Sequence, residues 1–69
     1  MTKGTDIQAR LRAAGLTQAD LAAMLRVAVS TIHRQCTGVV PLAGYLVAFV
    51  EAWEMMTEEQ RAALRNRLI

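Results

Sequence analysis

Ser30 and His33 stand three residues apart, and a helix would place them on one side. A serine beside an imidazole is the start of a hydrolytic site. No third group orients His33 by pattern, and no oxyanion donor is evident, so acyl-transfer chemistry is excluded. His33 and Cys36 are the only histidine and cysteine, which is too few ligands for zinc. Cys36 therefore reads as a small core residue, and His33 as an exposed or hydrogen-bonded side chain. No residue pattern indicates a metal, a cofactor or a small-molecule substrate, and the chain is not expected to be an enzyme. What remains is non-covalent chemistry. Ser30, His33, Arg34 and Gln35 lie on one short stretch whose polar side chains cannot all be buried.

That stretch belongs to "LTQADLAAMLRVAVSTIHRQCTG", residues 16–38, which holds two short helical patterns with almost nothing between them. Thr17 suits the cap of the first, with Asp20 in its first turn where negative charge suits the helix dipole. Leu21, Ala22 and Leu25 are its expected buried stripe. Arg26, Val27 and Ala28 form the turn. The second pattern runs from about Val29 to Cys36, with Ile32 pointing inward and Gly38 ending it.

Start and stop signals place three more helices around this pair. Thr5 and Gln8 fit a capping box, and Gly15 fits a stop, which predicts a first helix over about 6–14 with Ile7 and Leu11 inward. Pro41 suits a helix start, predicting a fourth helix over about 42–55 with Leu42, Leu46, Phe49, Val50 and Trp53 on one face. Thr57 and Gln60 fit another capping box, predicting a fifth over about 58–68. Arg65 and Arg67 lie in its last turn, as the dipole prefers. The chain is expected to form one all-α domain over 1–69.

Two short helices joined by three residues form a helix-turn-helix. Ala22 is small where the next helix must cross closely, and Leu21, Leu25, Val27 and Ile32 would lock the pair. The second helix is then free to probe a DNA major groove, which just admits a helix.

On "LTQADLAAML", Val27, "STI" with Arg34, and "TG", the chain resembles the lambda repressor and Cro family of DNA-binding domains. The resemblance covers about residues 6–56. It implies a five-helix lambda-repressor-like fold and double-stranded DNA as partner. By position, Gln18 matches the glutamine that contacts phosphate, aided by the backbone N–H groups of its helix N-terminus. Val29, Ser30 and Arg34 match the positions that read base edges. Arg34 suits a bidentate contact to guanine, and Val29 suits a thymine methyl. Thr31, His33 and Tyr45 are further candidates for backbone contacts.

The chain also departs from that family. Arg26 stands where glycine is usual, and Ala28 where a serine or threonine usually caps. Gln35 replaces a residue that is commonly apolar. Val39 and Val40 stand where basic residues often meet phosphate. These departures bear on the strength of DNA binding more than on the fold.

Charge and hydropathy supply the partners. The net charge is +2, but residues 1–40 carry +3 and residues 41–69 carry −1, so the positive end coincides with the helix pair. An apolar fraction of 54% exceeds what one small core hides, and a partner surface is expected. Residues 57–69 are the expected dimerisation helix, with Trp53, Met56, Leu64, Leu68 and Ile69 in a homodimer contact. The uncharged run "VVPLAGYLVAFV" is too short to span a membrane and holds Pro41 and Gly44. The lone cysteine and an N-terminus without an apolar run fit a cytoplasmic protein.

These features predict a homodimeric repressor that acts on its own promoter through an inverted-repeat operator. A chain of this length leaves no room for an inducer domain. Its economy resembles small phage autoregulators, including those encoded beside anti-CRISPR genes. The alternative is a non-enzymatic interaction module, an antitoxin or anti-repressor, on the same fold.

Overall fold

The computed structural model describes residues 4–69, with side chains from Asp6 onward. Its five helices are α1 (Gly4–Ala13), α2 (Gln18–Leu25), α3 (Val29–Cys36), α4 (Gly44–Met55) and α5 (Glu58–Leu68). No strand occurs among the described residues, and no helix there is long and apolar enough to cross a membrane.

The first three helices end in the same way. Gly15, Arg26 and Gly38 adopt φ of 74°, 60° and 81°, the left-handed region. In each case the next residue reaches back five positions: Leu16 N to Leu11 O at 2.9 Å, Val27 N to Ala22 O at 3.1 Å, and Val39 N to Arg34 O at 3.0 Å. A shorter bond sits inside each loop, from Gly15 N to Arg12 O, Arg26 N to Ala23 O and Gly38 N to Gln35 O. This is the Schellman arrangement, which satisfies carbonyls that a helix end leaves open. A Cβ at Gly15 or Gly38 would meet nothing within 4 Å, so φ alone calls for glycine there. Arg26 adopts the same geometry with a side chain attached, at a cost of about 1 kcal/mol.

The core follows the expected stripes. Ile7 and Leu11 of α1, Leu21 of α2, Ile32 of α3, and Leu46 and Val50 of α4 are fully buried. Leu16, Ala22, Met24, Cys36 and Trp53 complete the cluster. Met24 is buried where Leu25 was expected, and Leu25 packs only partly against the core. α3 packs on both α1 and α2, α4 on α1, and α5 on α2.

Two boundaries differ from the sequence expectation. α1 begins at Gly4, so Thr5 lies inside the helix and does not precede it; its side chain is outside the described residues. Gln8, its expected capping partner, instead accepts a hydrogen bond from Gln18. α4 begins at Gly44, which leaves Pro41 and Leu42 in the loop. The cause is a long-range bond: the Ala43 N–H donates to the Gln35 side chain at 2.9 Å, holding Ala43 extended as the cap. α5 starts as expected, with both halves of the Thr57–Gln60 capping box formed.

α5 buries no residue fully. It is held by Leu64 and Leu68, which pack against the core, and by two arginines. Arg61 and Arg65 place their guanidinium carbons 5.6 and 5.9 Å from the centre of the Trp53 ring. Arg61 Nε also donates to the Trp53 carbonyl at 2.9 Å, and Arg65 pairs with Asp20 of α2 at 3.2 Å. Arg65 is therefore more than a dipole-matched helix end. Trp53, expected in the dimer contact, is only 3% exposed. Its Nε1–H donates to the Ala14 carbonyl, and its ring is stacked near Phe49, so it belongs to the chain's own core.

Two local defects flank the α2–α3 turn: Arg26 in the left-handed region, and Ala28 at the α3 N-cap with no side-chain bond. Arg26→Gly is expected to stabilise by about 0.5–1 kcal/mol, the relief of strain being partly offset by unfolded-state entropy. Ala28→Ser is expected to add about 1 kcal/mol. Thermal unfolding followed by circular dichroism checks both, as rises of roughly 4–8 °C per kcal/mol in a domain of this size. An unchanged midpoint for Arg26→Gly would contradict the strained geometry.

Candidate nucleic-acid interface

α3 divides into two faces. Ile32, Gln35 and Cys36 are buried, while Val29, Ser30, His33 and Arg34 are exposed and Thr31 is half-buried. The exposed set contains all three residues expected to read bases. Burial also raises the Cys36 thiol pKa, as a small side chain enclosed in the core should show.

The inward face carries one polar side chain, Gln35, only 4% exposed. Its Nε2 donates to the Thr31 carbonyl at 3.4 Å and to the Tyr45 hydroxyl at 3.3 Å, and its Oε1 accepts from Ala43 N. A buried amide is tolerated when its polar atoms are bonded, and here they are. Gln35 thus ties α3 to the first turn of α4. Because the Tyr45 oxygen accepts, its own proton remains free to be donated outward. Tyr45 is 45% exposed, which suits that role.

Gln18 is the first residue of α2. Its Nε2 donates to Gln8 Oε1 at 2.7 Å, and its Oε1 bonds His33 Nδ1 at 3.1 Å. The Thr17 hydroxyl accepts from Asp20 N at 3.0 Å. The Gln18 and Ala19 N–H groups precede the first intrahelical bond and point out of the helix end. Gln18 and His33, on different helices in the sequence reading, are brought together, and Gln8 and Gln35 join the site as residues that reading did not assign to it. Neither has a signature in periodicity, because both bonds span ten residues or so and cross between elements.

Two ion pairs join the described helices, Arg10–Glu54 and Arg65–Asp20. The Arg10 guanidinium holds the Glu54 carboxyl below its usual range, chiefly through their hydrogen bond. Neither pair engages Arg34 or Arg26. No acidic residue occurs between Asp20 and Glu51. The surface built from α3 and its flanking turns therefore presents Arg34 with no carboxylate on the same segment. Val39 is 71% exposed and Val40 is 37% exposed beside the end of α3, where their N–H groups bond the Arg34 carbonyl.

Of the remaining expected contact residues, Met56, Leu64 and Leu68 are half-buried against the chain's own core, and Ile69 is 63% exposed. Met55, on α4, is more exposed than any of them at 86%. A cleft of about 300 Å³ lies between the Ala14–Gly15 turn, Trp53 and α5, lined in part by Arg61, Arg65 and Asn66. Among the described residues no cluster of histidine, cysteine and acids is placed to hold a metal ion.

Gln35→Leu would make α3 match the commoner apolar pattern, yet it is expected to destabilise. The Ala43 N–H would lose its partner and the cap of α4 would go with it, at a cost of about 1–3 kcal/mol. Urea unfolding measures this. A variant as stable as the wild type would show that the amide does not hold the two helices.

No family model, curated protein or solved structure matches this chain.

Proposed function

We propose that the protein is a sequence-specific DNA-binding regulator, with α2 and α3 acting as a helix-turn-helix in a lambda-repressor-like fold. The observation that carries this is the exposed face of α3. It presents Val29, Ser30 and Arg34 on a rigid mount, next to the unpaired N–H groups of α2, with no acid between Asp20 and Glu51. A cationic donor with no carboxylate on its segment suits a polyanion, and an exposed helix face on a packed mount suits the major groove. Arg34 reads guanine, Val29 meets a thymine methyl, and Gln18 and Tyr45 engage phosphates. The reading carries with it a homodimeric repressor that acts in the cytoplasm on its own promoter. A second reading, a protein-interaction module, is favoured by the exposure of Val39 and Met55.

The chain is expected to bind duplex DNA and to lose roughly 10³-fold in affinity between about 50 and 200 mM salt. Selection from a library of random duplexes supplies the site. Arg34→Ala is expected to cost about 1–3 kcal/mol on that site and to relax one base pair per half-site. Equal weakening on selected and random duplexes would make Arg34 a phosphate contact. No binding at low salt would overturn the DNA reading and favour the interaction module.

A homodimer follows from the same function, since one recognition helix reads only a few base pairs and two must stand about 34 Å apart. Leu64 and Leu68 pack against the core, so replacing them confounds association with folding. Ile69, exposed at the end of α5, is the cleaner probe. Sedimentation at tens of micromolar (roughly the range of weak dimers) is expected to show a dimer, and Ile69→Lys a folded monomer. A wild-type chain that stays monomeric on DNA would remove the dimer.

A further inference from the structure

Gln8 of α1, Gln18 of α2 and His33 of α3 form one hydrogen-bonded chain across three helices. Its direction follows from the chemistry of the groups. Gln18 Oε1 can only accept, so His33 Nδ1 carries a hydrogen and donates at 3.1 Å. Gln18 Nε2 spends one hydrogen on Gln8 Oε1 at 2.7 Å. Its second hydrogen is left over, and its direction is set because the amide is held at both ends. A free glutamine at a helix N-terminus would give up much of its rotamer freedom on meeting a ligand. Here that freedom is already spent.

We propose that Gln8 and His33 are positioning residues, which hold the Gln18 amide so that its second N–H meets a DNA phosphate oxygen at the start of α2. This rests on the DNA reading above. It also revises the role expected of His33. His33 Nδ1 is engaged with the Gln18 amide, so the ring holds Gln18 from across the helix pair. His33 acts through Gln18 rather than by its own contact. The juxtaposition is specific to these positions: His33 sits one turn into α3, beside the exposed Arg34, where its ring reaches back to the preceding helix.

Two measurements test it. The tautomer of His33 in the free protein is read from long-range proton–nitrogen spectra at about pH 8.5, where imidazole is neutral. A hydrogen on Nδ1 is expected; one on Nε2 reverses the chain and overturns the proposal. The second is a double-mutant cycle on a random duplex of about 20 base pairs, a probe that reports phosphate contacts. His33→Ala and Gln18→Ala are each expected to weaken binding by about three- to ten-fold, and the double variant by no more than about two-fold beyond Gln18→Ala. His33→Asn, whose amide N–H can donate from nearly the same place, is expected to restore binding. Thermal unfolding confirms that each variant is folded, as expected for exposed or half-buried positions. Additive losses, or no rescue by His33→Asn, overturn the proposal while leaving DNA binding intact. A wild-type chain that binds no duplex overturns the DNA reading and this role together.

Discussion

A helix of eight residues has too few internal hydrogen bonds to persist in water, so α3 exists only through what seizes its ends and its inner face. The left-handed residue at 26 is the first of these constraints. It turns the chain sharply enough for Val27 to reach back to Ala22, and α3 then packs on α2. Ile32 then enters the core beside Leu21 and Leu46. Gly38 closes the other end with the same bond pattern. The two turns fix where α3 points before any ligand is present.

The second constraint is the buried amide of Gln35. An apolar residue there would fill space, but it would leave the approach to α4 free to choose its own starting point. The amide removes that freedom by binding the Ala43 N–H and the Tyr45 hydroxyl together. Position 35 therefore trades some apolar burial for a fixed angle between α3 and α4. The same bonds tie the part-exposed Tyr45 to α3, so the residue that sets the fold locally also fixes the hydroxyl of a candidate contact residue.

What could be read along the chain was local chemistry. Thr17, Gly15, Gly38 and the Thr57–Gln60 box act within a few residues of themselves, and each forms as the sequence implies. The helical stripes were equally legible, because burial repeats every three or four residues. The starts of α1 and α4 were not: the Thr5–Gln8 pattern does not mark the start of α1, and Pro41 does not mark the start of α4. A glutamine eight residues upstream of Ala43 decides the latter instead. Which surface covers Trp53 was not legible for a related reason. A large apolar residue near the end of a helix looks the same whether a second chain or its own next helix covers it. Only the return of α5, with Arg61 and Arg65 over the ring, distinguishes the cases.

That return also bears on charge. Asp20 follows Gln18 by two residues, in the first turn of α2, and a carboxylate suits the helix dipole there. It would equally repel a phosphate approaching the same N-terminus. Arg65 reaches from α5 to pair with it at 3.2 Å, and this offsets the local negative charge without removing the stabilising acid. The pair is part-exposed, so its contribution to stability is small, of the order of 1 kcal/mol or less. Its larger effect is on the field. Asp20 is paired with Arg65 and Glu54 with Arg10, and both acids lie outside the segment that carries α3. On the proposed reading, α5 thus contributes to DNA binding electrostatically, through a helix that need not touch DNA at all.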